Sequence, residues 1–196
     1  MRSSPSSPPL QPDPLFQQLQ SKAFAYFQYE TNPLNGLVSD KTAPDWPCSI
    51  TATGLALSAY PVAVERGLIG HAEALQRVLT TLRFFRDSPQ GPEPDATGYR
   101  GFYYHFLHMQ TGRRAWQCEL STIDTALLLA GMLTCAGFFT GQAPAELEIR
   151  SLADALYRRV EWDWALDGNA AISMGWRPET GFLASSWKGY NEALLL

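Results

Sequence analysis

Apolar residues recur at roughly helical spacing from the first folded segment onward. Leu15, Leu19, Phe24 and Phe27 form one stripe. Asp13 before Pro14 predicts where that helix opens, with a carboxylate cap and a proline at the first helical position. Asn32-Pro33 predicts its end. A loop, GLVSDKTAPDWPCS, then leads to Ser49 as the cap of a second helix over residues 50–67, with Pro61 as a point of kinking or delay. Gly67 and Gly70 are its stops. A third helix, His71 to Arg86, places Ala74, Leu75, Val78, Leu82 and Phe85 on one face.

The pattern then changes. A Gly/Pro-rich loop, SPQGPEPDATG, precedes the aromatic run YRGFYYHFLHM over residues 99–109. With the turn TGRR behind it, this run predicts a β-hairpin or an irregular extended loop. Helical patterning returns from about Thr122 to Phe139 and from about Ala143 to Val160. Short extended pieces, AISMGW and GFLAS, flank the turn RPETG. A sixth helix is predicted from near Lys188.

The ends of the chain carry two further expectations. Ser and Pro dominate residues 3–9, so residues 1–12 are expected to be a disordered tail before folding starts near Asp13. The tail has no apolar leader segment, which predicts a cytoplasmic protein, or a periplasmic one if the start is misassigned. The closing GYNEALLL stops without a capping glycine or proline. An apolar helix end left in water is a liability, so residues 13–196 are expected to be the N-terminal part of a longer domain. Helices joined alternately by short turns and long aromatic loops suggest an array of α/α hairpins. Six helices would make half of a twelve-helix ring, although no strict repeat demands closure.

Composition narrows the function. A chain of 196 residues suffices for one domain with a sizeable core, and 45% hydrophobic against 17% charged residues is a globular balance. The net charge of -4, with no basic cluster, argues against nucleic acid or an anionic membrane as main partner. No apolar run approaches the roughly 18 residues of a membrane span. Cys48, Cys118 and Cys135 fit neither a zinc site nor an even disulfide framework, and read as buried or free thiols. His105 and His108 are three apart in an extended segment, which points them to opposite faces, and no further ligands accompany them. No metal or cofactor is predicted. Neither a phosphate-binding glycine loop nor a Ser or Cys nucleophile signature is present.

The remaining chemistry is acidic and aromatic. In CELSTIDTALLLAG, residues 118–131, Ser121 and Asp124 have the spacing of a capping box. Asp124 therefore reads as a cap or as one of a pair of carboxylates at a cleft mouth. Glu119 reads as the partner of Arg113 or Arg114, or as the second cleft carboxylate. In SSWKGYNEALLL, Glu192 falls in a first helical turn, where the helix dipole favours an acid. Its neighbours Trp187, Lys188, Tyr190 and Asn191 combine an aromatic platform with hydrogen-bonding groups. Trp46, Trp116, Trp176 and Trp187 all fall in loop segments. Aromatic faces stack on sugar C–H surfaces, and neutral sugars need no basic patch. Two carboxyls across a cleft can hydrolyse a glycosidic bond, about 6.5–9.5 Å apart for inversion or about 5–5.5 Å for retention. The acid among them needs a raised pKa, which burial supplies.

Three long segments resemble the bacterial glucoamylase-like family that includes endo-β-1,2-glucanases. They are CSITATGLALSAYPVAVERGLI, GFYYHFLHMQTGRRAWQCELSTIDTALLLAG and MGWRPETGFLASSWKGYNEALLL, in that order, and the resemblance runs over residues 15–196. It implies an all-α fold, an (α/α)6 toroid of which this chain is the N-terminal half, and an inverting glycoside hydrolase acting on β-glucan without a cofactor. It implies Glu192 as general acid, with Glu119 and Asp124 as substrate-binding or proton-handling carboxylates. Trp116, Trp176, Trp187, Tyr190, Asn191 and His108 are the expected sugar contacts. His108 departs from the family, whose members often carry an acid after YHFL. The rival expectations are a non-catalytic carbohydrate-binding helical scaffold, an inactive fragment, and a structural α-hairpin protein with Glu119 and Glu192 turned to solvent.

Overall fold

A computed structural model describes residues 13–168 and 170–196; the tail expected over residues 1–12 lies outside the described residues. The first helix, α1 (Pro14–Tyr29), opens as its sequence predicts, with the Asp13 carboxylate accepting the Leu15 N–H at 2.8 Å. It ends before Asn32-Pro33. Phe24 of its predicted stripe is buried against Tyr60, while Leu15 and Leu19 stay exposed.

Four longer helices build the body. They are α2 (Ile50–Glu65), α3 (His71–Asp87), α4 (Thr122–Phe138) and α5 (Pro144–Arg158). The two kinds of sequence pattern explain the arrangement. Buried positions on α3 and α5 recur at three- and four-residue intervals, as in Ala74, Val78, Leu82 and Phe85 or Ile149, Leu152, Ala153 and Leu156. Such helices cover a core with one face. By contrast α2 and α4 are apolar over most of their circumference. They lie side by side, with α3 behind α2, α5 behind α4, and α3 against α5.

Small residues set how closely α2 and α4 approach. A methyl group on Gly131 would stand 2.2 Å from the Gly54 carbonyl oxygen, and one on Gly54 would stand 2.6 Å from the Leu127 carbonyl oxygen. Pro61 is accommodated inside α2 at a buried position. Its missing N–H leaves the Leu57 carbonyl without an intrahelical donor, and the buried Cys135 thiol of α4 donates to that carbonyl at 3.1 Å. All three cysteines are free and buried.

The loops gather into sheet structure, which goes beyond the short β-hairpin loops expected of a helical fold. Strands β2 (Gly98–Tyr99), β3 (Phe102–Tyr104), β5 (Leu120–Ser121), β6 (Gly175–Arg177) and β7 (Gly181–Phe182) form an antiparallel five-stranded sheet in that order. A separate pair joins β1 (Cys48–Ser49) to β4 (Phe106–Leu107), with Ser49 opposite Phe106. The aromatic run is thus the ribbon between the two sheets. β1 runs directly into α2, and β5 into α4, so both sheets lie at the N-terminal ends of the paired helices. Trp164, of a one-turn helix α6 (Trp162–Ala165), packs against Tyr99, Phe102, Trp176 and Phe182.

The predicted sixth helix from Lys188 is replaced by a single 3-10 turn, Glu192–Leu195. Gly189 takes a positive φ of 80° and Asn191 caps the turn through Ala193 N–H. Those two features delay the start of any helix to Glu192. No helix among the described residues is long and apolar enough to cross a membrane.

Gly131→Ala should therefore force α2 and α4 apart. The expected loss of stability is roughly 1–3 kcal/mol, read as a lower urea midpoint; an unchanged midpoint would show that the helices tolerate a wider spacing.

Candidate active site

Two helix starts meet at one point. Ser49 caps α2 by accepting the Ala52 N–H at 3.3 Å, and Ser121 caps α4 by accepting the Asp124 N–H at 3.3 Å. The Asp124 carboxylate then does more than close its own cap. It accepts the Ser121 hydroxyl and, across the helix pair, the Thr51 hydroxyl from the first turn of α2. Asp124 thus stands at the positive ends of both helices.

His105 occupies the gap between the strands. Its backbone is fixed on both sides, since its N–H donates to the Glu119 carbonyl at 3.0 Å and its carbonyl accepts the Ile50 N–H at 3.2 Å. Its ring then bridges the two acids. Nδ1 lies 3.0 Å from Glu119 Oε1, and Nε2 lies 3.6 Å from Asp124 Oδ1. Opposite edges of one imidazole hold the carboxylates an imidazole width apart. Glu119 is further faced by Arg177 of β6 at 3.6 Å. Room for the Glu119 side chain comes from Gly175, where a methyl group would lie 3.0 Å from Glu119 Cγ.

The electrostatics follow from this geometry. The His105 hydrogen bond lowers the Glu119 pKa from 4.5 to about 2, against the opposing effect of burial, with help from the charges of His105 and Arg177. Burial acts to lower the pKa of His105, but the Glu119 hydrogen bond and the Asp124 and Glu119 charges outweigh it and leave the value raised above 6.5. Near neutrality Glu119 is a carboxylate and not a proton donor.

The loop before Glu119 is clamped by a buried guanidinium. Arg114 donates to the carbonyls of Cys118 at 2.6 Å and Gln117 at 2.8 Å, and pairs with Glu179 at 2.6 Å. It also lies 4.6 Å from the Tyr104 ring centre. These bonds hold Trp116 and Gln117 in successive left-handed conformations, φ 55° and 52°, which non-glycine residues adopt rarely. Trp116 is thereby presented to solvent, 56% exposed.

The other expected site residues separate into two groups. Trp187 is fixed at the same helix start, donating from its indole N–H to Thr122 Oγ1 at 3.0 Å. Glu192 begins the neighbouring 3-10 turn, is exposed, and makes no ion pair among the described residues. Asn191 spends its side chain on the cap of that turn and on the Lys188 carbonyl, and Tyr190 is 93% exposed. Trp176 belongs to the half-buried aromatic cluster with Tyr99 and Trp164. His108 is exposed beyond β4. So the structure bonds Glu119 to His105 and sets His105 against Asp124, with Trp187 at the same helix start, and leaves Glu192 outside that network.

Of the two readings of Glu119, pairing with the adjacent arginines is excluded, because Arg113 turns to Asp95 and Arg114 to Glu179. His105, considered from sequence only as a weak metal ligand, is the bridge of the cluster. Its signal, a histidine opposite an acid across a strand pair, becomes visible only once β3 and β5 are in register. Among the described residues no group of three His, Cys, Asp or Glu side chains could hold a metal ion.

No family model matches the chain. It is 24% identical over 196 residues to an exo β-1,2-glucooligosaccharide sophorohydrolase (non-reducing end) of Parabacteroides distasonis, covering 95% of this chain and 26% of that protein. Its fold matches the endo-β-1,2-glucanase of Chitinophaga pinensis, solved with sophorotriose and glucose, at a TM-score of 0.77 and 21% identity, over 92% of this chain and 44% of that one. It also matches a β-1,2-glucanase from Parabacteroides distasonis at a TM-score of 0.74 and 24% identity, over 85% and 24% respectively. The likeness to bacterial glucoamylase-like glycoside hydrolases thus extends from sequence to fold. The chain spans about a quarter of the length of the curated relative.

The charged pair makes stability depend on pH in two directions. Glu119, with its folded pKa below 4.5, adds stability that is present above 4.5 and lost as pH falls toward about 2. His105, with its folded pKa above 6.5, adds stability that is full below 6.5 and lost as pH rises through the folded value. The two overlap most fully between 4.5 and 6.5. Glu119→Gln should lower the His105 titration midpoint in an NMR titration and flatten both limbs of the denaturation profile; an unmoved midpoint would mean that Glu119 does not charge the ring.

Proposed function

We propose that the chain forms the N-terminal half of an (α/α)6 toroid and belongs to the active-site end of a glycoside hydrolase that cleaves β-glucan, β-1,2-linked in the first instance, with inversion. The carrying observation is the acid pair bridged by His105 where α2 and α4 begin. The pairing of α2 with α4, backed by α3 and α5, suits such a ring. The similarity to proteins named for β-1,2-glucan hydrolysis supports the substrate.

In this reading the acids divide the work. Glu119 stays ionised at neutral pH and suits holding a hydroxyl, stabilising developing positive charge or taking a proton from water. Asp124, tied to two hydroxyls, handles protons or substrate beside it. Glu192 is the candidate general acid. A sugar stacked over Trp187 or Tyr190 would take Glu192 out of water, the environment that a general acid needs. Water attacks the anomeric carbon and gives its proton to a carboxylate. The glycosidic C–O bond breaks as the leaving oxygen takes the proton of the acid. Trp116, Trp176, Asn191 and His108 complete the proposed sugar contacts.

Incubation with linear β-1,2-glucan should release reducing ends, with the α anomer formed first. Glu119→Gln, Asp124→Asn and Glu192→Gln should each cut the rate on the order of 10²–10⁴-fold with weaker effects on binding. Binding without product would make the chain a non-catalytic carbohydrate scaffold. Failure of both would remove the carbohydrate reading.

A further inference from the structure

The loop aromatics continue past the acid cluster in one direction. His105 stacks on Phe106 with ring centres 3.9 Å apart, Phe106 meets Trp116 at 5.2 Å, and Trp116 meets Trp46 edge-on at 4.8 Å. Each step is comparable with the span of a sugar ring. Trp46 is itself held in place. Its indole N–H donates to Asp40 Oδ2 at 3.1 Å, and Lys41 Nζ lies 3.6 Å above its ring. Beyond it opens a cavity of about 300 Å³, which Trp46 lines together with Tyr29, Glu30, Asn32, Asp45 and Gln110.

This cavity shares no lining residue with the acid cluster. Its chemistry is nonetheless that of sugar recognition. Tyr29, 82% exposed, offers aromatic surface to pyranose C–H faces, and Trp46 adds the ring face that Lys41 leaves uncovered. The Gln110 amide and the carboxylates of Glu30 and Asp45 offer directional partners for hydroxyl groups, while the Asn32 amide is spent on the Met109 carbonyl and the Leu34 N–H. Its lining carries two acids and no basic side chain, the nearby Lys41 ammonium being engaged over the Trp46 ring, which favours a neutral ligand over phosphate, sulfate or uronic acid. A clamp serving only to hold the loops down would bury Trp116, which instead stands 56% exposed between the cavity and His105.

We propose that this cavity is a distal subsite for neutral glucose units, reached along Trp116 and Trp46 by the same glucan strand whose reacting bond lies at the His105, Glu119 and Asp124 cluster. The inference rests on the hydrolase reading. It adds a second anchoring point, so affinity rises with oligosaccharide length until the strand spans the aromatic path.

Titration calorimetry with β-1,2-linked glucose oligomers of increasing length tests it, on the wild-type chain, Tyr29→Ala and Trp46→Ala. The wild type should bind the longer oligomers at least about tenfold more tightly than the disaccharide. Both variants should lose most of that ratio. Tyr29 is exposed, so its truncation tests the subsite even if loss of Trp46 disturbs the loop. A ratio preserved in Tyr29→Ala and in folded Trp46→Ala, or a wild type with no gain from length, overturns the subsite and leaves the hydrolase reading standing. A wild type that binds no oligomer of any length removes the hydrolase reading and the subsite with it.

Discussion

The contact on which the rest depends is the hydroxyl of Thr51 held by the carboxylate of Asp124. It ties the first turn of α2 to the first turn of α4 and so puts two helix N-termini beside one acid. That contact exists only because the helices run close, and they run close because Gly54 and Gly131 leave backbone against backbone. A methyl group at either position pushes on a carbonyl oxygen. The spacing of the core and the geometry of the acid cluster are therefore one property of the chain.

The short strands translate this spacing into a site. Two-residue strands have little stability of their own. Here β1 and β5 are welded to helix starts and inherit their positions from α2 and α4. The ribbon between them carries His105, with its backbone hydrogen-bonded to Ile50 on one side and Glu119 on the other. Charge then completes the assembly, because the His105 hydrogen bond and the charges of His105 and Arg177 hold Glu119 as an anion. An ionised Glu119 bridged through His105 to a second acid, beside exposed tryptophan, is poorly explained by folding alone and well suited to a neutral polyhydroxy ligand.

What could be read in advance follows the range of the interaction involved. Asp13, Ser49 and Ser121 announce their helices because a cap bonds to residues two or three positions away. The apolar pattern of α3 and α5 is equally local. Trp162–Ala165 is a single turn, too short for any periodicity, and was invisible. The helical turn starts at Glu192 and not at Lys188, because the positive φ at Gly189 and the cap at Asn191 are properties of the folded backbone. Glu119 and Asp124 stood out as excess acids at a helix entrance. Their partner did not. His105 lies 14 residues before Glu119 in the chain, and only the strand register brings it across. The adjacent arginines misled for the complementary reason, since Arg114 is drawn inward by three carbonyls and Glu179.

The most direct test of the account is the response of the His105 imidazole to glucan. NMR signals of its ring nitrogens and carbon-bound protons would be followed while linear β-1,2-glucan is added at pH 6. A saturable shift of the His105 signals, abolished in Asp124→Asn, is the expected result. His105 signals that stay fixed at glucan concentrations that saturate other residues would contradict the claim that the junction of α2 and α4 is the sugar-handling centre.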